Sequence, residues 1–457
     1  MSSKVKNVFV CVECGYNTSK WLGRCPDCQN WNSFVEEARI VKKGSSRSDE
    51  KVVEKKLRKL NELSELKERR VTTNIGELDR VLGGGLVPGS LTLIGGEPGI
   101  GKSTLLLMLC HKVAQTLPNK KIIYVSGEEA EAQIASRAKR LGISEPNIEV
   151  VNETNWENVK QLIKNEESAL LIIDSIQTIY NPTLDSAPGT VTQIREVTFE
   201  LMNFIKNRET ACFIVGHITK EGNIAGPKIL EHMVDTVVYF EGDQGGMYRI
   251  LRSMKNRFGA TSEIGLFEMV NNGLEEVKNP SKYFIDDEID NRVGRSLTCI
   301  LEGSRPLFLE LQALVVENKY GNGRRATQGV DTNRVSMLIA VIEKHLGMPI
   351  GFNDIYVNLV GGMKINSRDL DLSVIAALIS SYKNVNVSQE MVFVGEVGLA
   401  GEVRNVPKLL ERYNEMTHFN YKYLVTSQKA ISQIKKKSGV QIIGINNIDE
   451  IPKILEM

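Results

Sequence analysis

Residues Gly96-Glu97-Pro98-Gly99-Ile100-Gly101-Lys102-Ser103 read G-x-x-x-x-G-K-S and are followed by Thr104. Glycines at this spacing let successive backbone N–H groups curl round a polyphosphate, and a helix start behind them adds partial positive charge. Lys102 is then placed to hold the β- and γ-phosphates, and Ser103 to ligate Mg²⁺. A glycine-rich turn with a chance Lys-Ser is the competing reading. Against it, the apolar run SLTLIGG precedes the motif and the helical run STLLLMLCHKVAQTL follows, the context a phosphate loop requires. Asp174 closes the apolar run LLIID, and a carboxylate at the C-terminal end of a buried parallel strand can hold Mg²⁺ directly or through water. Glu128 and Glu129 follow KIIYVSG and should reach the same sheet edge. Glu128 is the favoured residue to polarise the attacking water, against a solvated pair of glutamates at a helix start.

Two further constellations carry chemistry. Cys11-x2-Cys14 and Cys25-x2-Cys28 are paired knuckles that bring four thiolates within reach of one tetrahedral Zn²⁺. Gly15 suits the tight turn, while Trp21, Trp31 and Phe34 could cap the site. A unit this short cannot build its own core, so metal binding would supply its folding energy. A redox role for one CxxC is the alternative. The cation-rich stretch Lys255-Asn256-Arg257-Phe258-Gly259 is either a surface turn or, in an oligomeric ATPase, a place from which a neighbour presents a cation to the γ-phosphate.

The elements that must position these residues divide the chain into segments. Residues 1–35 hold the clustered cysteines, and 36–70 shift to Lys, Glu and Ser as a charged linker. From 71 to 277, the strand-like runs SLTLIGG, KIIYVSG, ALLIIDS and ACFIVGH alternate with helical runs, predicting βαβ units and a largely parallel buried sheet. The runs DTVVYFEGD and YRILRSMKNRFG read as shorter strands at the sheet edge. Residues 278–457 form a separate α+β domain, with strands TCILEGS, FLELQALVVE, DIYVNLVGG, MVFVGEVGL and KYLVTS around helices NRVSMLIAVIEKHLG, DLDLSVIAALISSY and LLERYNEM.

Length and composition set outer bounds. A chain of 457 residues, 42% hydrophobic and 25% charged, is neither disordered nor collagen-like and predicts several domains. The 57 basic residues against 56 acidic ones give no whole-chain signal for nucleic acid. The start MSSKVKNVFVCVEC lacks a signal peptide, and SALLIIDSIQTI, interrupted by Asp174, is too short to span a bilayer, so a cytosolic location is expected. Cys110, Cys212 and Cys299 sit in apolar contexts and read as small buried hydrophobes.

The order of parts, together with CVECGY…WLGRCPDCQNWNSF, TNIGELDRVLGGGLVPGSLTLIGGEPGIGKST, GHITKEGNIAGPKILEHMVDTVVYFEGD and KNRFG, resembles the bacterial RadA (Sms) family of DNA repair proteins over essentially the whole chain. The resemblance implies a RecA-like P-loop ATPase core behind a four-cysteine zinc finger. It further implies a ring-forming, hexameric motor that uses ATP on single-stranded and branched DNA, works with RecA recombinase in branch migration, and resides in the bacterial cytoplasm near the nucleoid. By motif position, Lys255 and Arg257 would act at a subunit interface or on DNA, and Arg195 and Lys220 would face the channel, where ordinary solvated charge is the competing reading. VFVGEVGLAGEVRNVPKLLERY resembles the proteolytic domain of Lon, whose Ser–Lys dyad positions are taken here by Asp369 and Leu410, with Ser367, Ser373 and Lys408 nearby. A noncatalytic scaffold is expected, with DNA-binding surface around Lys319, Arg324 and Arg325. An ATP-dependent peptidase and a nonmotor ATP switch are the rival functions.

Overall fold

The computed structural model describes residues 5–11, 16–40, 69–206, 208–217, 229–242, 248–277, 285, 293–318, 323–361, 365–417, 419, 421–434 and 439–456. Cys14, Gly15, Lys220 and Lys319 therefore lie outside the described residues. The chain divides into two units, the first ending at Glu276 and the second resuming at Val277.

The first unit begins with a small antiparallel sheet of order β2-β1-β3, made of β1 (Val5–Cys11), β2 (Asn17–Thr18) and β3 (Phe34–Ile40). β3 pairs along the whole of β1, from Cys11↔Phe34 to Val5↔Ile40. The expected end of the cysteine unit at residue 35 thus falls inside a strand, because EEARI is held by pairing that its charged composition does not advertise.

The motif-bearing sheet is built from β4 (Leu91–Gly96), β5 (Lys121–Ser126), β6 (Ile148–Asn152), β7 (Ser168–Asp174), β8 (Ala211–His217), β9 (Thr236–Gly242), β10 (Tyr248–Asn256), β11 (Ile264–Val270) and β12 (Gly273–Glu276). Its order is β12-β11-β10-β9-β4-β8-β7-β5-β6, parallel from β9 to β6. Alternate residues of the central strands serve two cores. Ile94, Tyr124, Ile172 and Val215 pack with α1 (Gly76–Leu82), α2 (Lys102–Thr116) and Ile134 of α3 (Glu131–Arg140). Leu93, Ile123, Ile173 and Ile214 pack with α4 (Trp156–Ile163) and α5 (Val191–Lys206). Burial on both faces explains why these strands read as continuous apolar runs. Cys110 and Cys212 are fully buried among these apolar side chains, as is Cys299 in the second unit.

The sheet edge differs from the sequence expectation. β9 is an interior strand parallel to β4, and β10 to β12 extend the sheet beyond it as an antiparallel meander. β10 mixes buried and part-exposed residues, with Ile250, Leu251 and Ser253 buried and Met254 exposed, and α1 packs on β10 and β11.

The second unit contains a mixed seven-stranded sheet. Its strands are β13 (Arg295–Glu302), β14 (Arg305–Val316), β15 (Arg325–Gln328), β16 (Asp354–Leu359), β17 (Met391–Phe393), β20 (Tyr423–Ser427) and β21 (Gln441–Ile445), in the order β15-β16-β14-β13-β17-β20-β21; β18 (Glu396–Val397) and β19 (Val403–Arg404) form a separate hairpin. Helix α6 (Ile229–Met233) closes the first unit's series, and the second unit adds α7 (Thr332–Leu346), α8 (Asp371–Lys383), α9 (Leu409–Met416) and α10 (Ile451–Leu455). α7 starts where the Asp331 side chain accepts from Arg334 N and stops at Gly347, φ 66°. α8 is buried from Asp371 to Ser380, which accounts for its nearly unbroken apolar sequence.

Candidate nucleotide site and metal ribbon

Gly96 ends β4 against the neighbouring strand so closely that a Cβ there would sit 2.5 Å from Phe240 O, and Gly101 opens α2 at φ 114°. No larger residue fits the first position, and few adopt the second. Between them Glu97, Pro98 and Gly99 are exposed and Ile100 half-buried, leaving the loop open to a polyphosphate. Lys102 turns back beneath this loop, its amine donating to Gly96 O at 2.8 Å and Glu97 O at 2.9 Å. Burial pushes that amine below its ordinary value, and the charges of Asp174 and Glu128 offset part of the shift.

Ser103 and Thr104 follow in the first turn of α2. Ser103 Oγ donates to Asp174 Oδ2 at 2.7 Å, bridging from the phosphate loop to the end of β7. A hydroxyl and a carboxylate oxygen in contact are the hard donor pair that suits Mg²⁺, so the residues present fit the ion. The Asp174–Ser175 peptide bond is cis. Buried Ser175 donates its hydroxyl to Glu128 Oε1. Glu129 turns elsewhere: its carboxylate takes two 2.8 Å hydrogen bonds from Arg137. The adjacent glutamates are thereby separated, Glu128 at the phosphate-loop edge and Glu129 in an ion pair.

Three contributors lay outside the sequence reading. Tyr124 donates its hydroxyl to Asp174 Oδ2 at 2.6 Å; burial first, and the Asp174 charge second, push its phenol well above the usual range, so it stays a donor. Ser175 holds Glu128, and Arg249 Nε donates to Ile100 O at 2.9 Å, fixing the loop from β10. Tyr124 and Ser175 sit in runs indistinguishable from core strand and turn, and Arg249 is remote in sequence.

The 255–259 stretch is not at this site in its own chain. Asn256 pairs with Thr236, which pairs with Thr92, whereas the phosphate loop leaves β4 after Gly96. Four strand residues separate the two ends by about 13 Å. Lys255 and Arg257 therefore stand away from their own chain's phosphate loop. The stretch is instead a knitted turn. Lys255 Nζ donates to the carbonyls of Glu231 (2.7 Å), His232 (3.1 Å) and Val234 (2.8 Å) at the end of α6. Burial lowers the amine's affinity for its proton, with Arg257 adding to the effect. Arg257 pairs with Asp235 at 3.0 Å but keeps 51% of its side chain exposed. Phe258 O accepts from Arg70 Nη2 at 2.6 Å, and a Cβ on Gly259 would lie 2.9 Å from Gly83 Cα.

In the ribbon, Cys11, Cys25 and Cys28 place their sulfurs within 4.8 Å of one another, with Cys11 and Cys28 at 3.6 Å. Thiolates at 2.3 Å from a tetrahedral centre lie about 3.8 Å apart, so the cluster fits Zn²⁺. Phe34, 7% exposed, packs on the cysteines as expected. Trp21 and Trp31 do not: they are 53% and 71% exposed, Trp31 under the Arg24 guanidinium rather than over the sulfurs. Phe9 of β1, part-buried, packs on the cluster beside Phe34 in their place.

The other basic residues are dispersed. Arg195 lies half-exposed on α5 beside Glu196, and Arg324 is exposed. Arg325 is part-exposed and donates to Gly323 O (2.8 Å) and Gly351 O (2.9 Å), which orient its guanidinium without neutralising its charge. Where a Ser–Lys dyad would stand, Asp369 pairs with Arg412, which also donates to Cys299 O, while Leu410 is 41% exposed. Ser373 is buried against Ser296 at 2.7 Å, Ser367 caps the turn before α8 by accepting from Asp369 N, and Lys408 precedes α9 at φ 51°.

A phosphate loop, a strand-end carboxylate and a glutamate beside it on a β6-β5-β7-β8-β4 parallel core define a RecA-like ATPase, here carrying a zinc ribbon and a Lon-like C-terminal unit. Family models agree: an AAA domain matches residues 57–223, a rubredoxin metal binding domain 9–36, and subunit ChlI of Mg-chelatase 326–430. The chain belongs to the RadA family of DNA repair proteins. It is 45% identical to DNA repair protein RadA of Halalkalibacterium halodurans over 98% of both chains, and 43% identical to that of Bacillus subtilis over 98% of both. A KaiC-like protein from Pyrococcus horikoshii OT3 is similar at 21% identity, covering 46% of this chain and 100% of that one with a TM-score of 0.40. Among the described residues, no helix is long and apolar enough to cross a membrane.

Proposed function

We propose that this chain is a DNA-dependent ATPase of homologous recombination, a ring-forming motor on single-stranded and branched DNA that works with RecA recombinase in the cytoplasm, at the nucleoid. The observation that carries the reading is the junction of Ser103, Asp174 and Glu128 around Lys102, in a member of a DNA repair family. Lys102 would leave the loop carbonyls for the β- and γ-phosphates, the backbone from Gly96 to Thr104 would cradle them, and Glu128, steadied by Ser175, would orient the attacking water. Mg²⁺ bound by Ser103 and Asp174 would supply charge neutralisation on the phosphates.

The far-end position of Lys255 and Arg257 supports action on a neighbour's nucleotide or on DNA across a subunit boundary, within a hexameric ring. Arg195, Lys220 and Arg324 are the candidate strand contacts. We assign 1–40 to the zinc finger with its fourth ligand Cys14, 41–70 to the linker, 71–277 to the motor and 278–457 to a noncatalytic scaffold; the Asp369–Arg412 pair offers neither the hydroxyl nucleophile nor the amine base of a Ser–Lys dyad. The test measures ATP hydrolysis with and without single-stranded DNA, and strand displacement on a forked substrate, by the full-length protein. Stimulation by DNA coupled to displacement is expected. A rate indifferent to DNA in the assembled protein would refute the motor.

A further inference from the structure

Tyr124 lies in the middle of β5 with 1% of its surface exposed, between Ile123 and Val125. Its strand needs only an apolar side chain there, as Ile122 shows on the same face of the sheet. A buried phenol must also find a hydrogen-bond partner, and this one finds Asp174 Oδ2 at 2.6 Å. Ser103 Oγ donates to that same oxygen at 2.7 Å. Two hydroxyls from two elements, a central strand and the phosphate-loop helix, thus converge on one oxygen of the carboxylate. Among the described residues no protein donor reaches Oδ1.

We infer that Tyr124 is a positioning residue for the metal-holding carboxylate: it pins Oδ2 and leaves Oδ1 as the oxygen available to the divalent ion or its water. The inference rests on the reading of Ser103 and Asp174 as the Mg²⁺ pair. When Ser103 gives its oxygen to the ion, the carboxylate would lose its fixed orientation without a second donor on the sheet side. Tyr124 supplies that donor from a position locked by packing, which is how outer hydrogen-bond partners raise metal affinity. The phenol reaches the metal site at the Asp174 carboxylate and beside the Ser103 hydroxyl, the two groups that would hold the ion.

The experiment uses full-length protein with Mn²⁺ as the probe, read as loss of the free-ion EPR signal in the presence of the nonhydrolysable analogue AMP-PNP. Tyr124→Phe keeps the ring and removes the donor. We expect its half-saturating Mn²⁺ concentration to rise about tenfold, the lower end of what lost outer partners cost. AMP-PNP binding in EDTA should be unchanged. In an Asp174→Ala background the same change should add little, because the carboxylate that the phenol orients is gone. Should Tyr124→Phe fold poorly, Tyr124→Met, apolar and adaptable, must show the same shift. Unchanged Mn²⁺ affinity in the folded variant overturns the inference, as does an equal loss with and without the Asp174 carboxylate. An Asp174→Ala protein that keeps Tyr124 and the wild-type Mn²⁺ affinity would instead overturn the metal-pair reading beneath it.

Discussion

Glu128→Gln and Glu129→Gln change adjacent residues by the same atoms, yet their surroundings predict opposite outcomes. Glutamine at 128 keeps an oxygen to accept from Ser175, so the turn after β7 is undisturbed, but an amide cannot draw a proton from water. Loss of a positioned base costs about 100- to 10,000-fold, roughly 3–5 kcal/mol of barrier. Because Glu128 does not hold the ground-state nucleotide in this reading, affinity should stay within about threefold, less than 1 kcal/mol. Glutamine at 129 removes the charge and one of the two oxygens that accept 2.8 Å hydrogen bonds from Arg137, in a pair whose side chains are 33% and 24% exposed. Pairs this open contribute about 1 kcal/mol, which would lower the melting temperature by about 2–4 °C and leave hydrolysis nearly intact. The assay is single-turnover phosphate release alongside fluorescent-nucleotide titration, with thermal melting as the control. A Glu128→Gln enzyme hydrolysing at close to the wild-type rate would refute the assignment. So would a Glu129→Gln enzyme that is stable yet equally dead.

Lys102→Ala should abolish hydrolysis and weaken nucleotide binding by about 10- to 150-fold, the range for a lost charge-assisted hydrogen bond of 1.5–3 kcal/mol; retained turnover in a rate assay would remove Lys102 from the mechanism. Lys255→Ala should lose DNA-coupled turnover while retaining nucleotide binding, but it also strips three carbonyls of their donor, so thermal melting must accompany the rate measurement. Normal coupling in a folded Lys255→Ala protein would confine Lys255 to a structural part. Metal analysis should find about one zinc per chain, lost in Cys25→Ser together with the ribbon's fold; full zinc in that variant would exclude Cys25 as a ligand. Arg412→Leu should destabilise the second unit by about 3–5 kcal/mol by leaving Asp369 uncompensated, and Asp369→Leu/Arg412→Leu should recover much of it. Equal melting of the single and double variants would show that the pair is not coupled.

The sequence made the phosphate loop legible because glycine spacing, flanking strand and following helix are all local. The same holds for Asp174, whose position at the end of an apolar run already says strand terminus. Tyr124 was illegible for the opposite reason: a tyrosine in KIIYVS looks like core, and only the pairing of Tyr124 with Ile172 puts it beside the β7 carboxylate. The 255–259 stretch was visible as a cluster of cations, but which end of the sheet it occupies depends on the register of β10 against β9, a nonlocal fact. Similarly, the edge strands were misplaced because β9 alternates with nothing in its own sequence to show that β10 to β12 continue past it. The tryptophans fall outside the cap because Phe34 and Phe9, brought together by the pairing of β3 with β1, already pack on the cysteines.

The division of the central strands between two cores has a consequence for how this chain can change. Tyr124, Ile172 and Asp174 share the face on which Ser103 arrives, since strand residues two apart point the same way. Chemistry here is indexed to odd and even positions. An insertion of one residue within 121–126 or 168–174 would exchange the two faces, turning the phenol or the carboxylate toward α4 and α5 while leaving composition almost untouched. An insertion in the turn between Leu141 and Asn147, outside both strands, changes no parity. Tolerance to length variation should therefore fall abruptly at strand boundaries, and the site is protected less by any single side chain than by the counting that brings each one to its face.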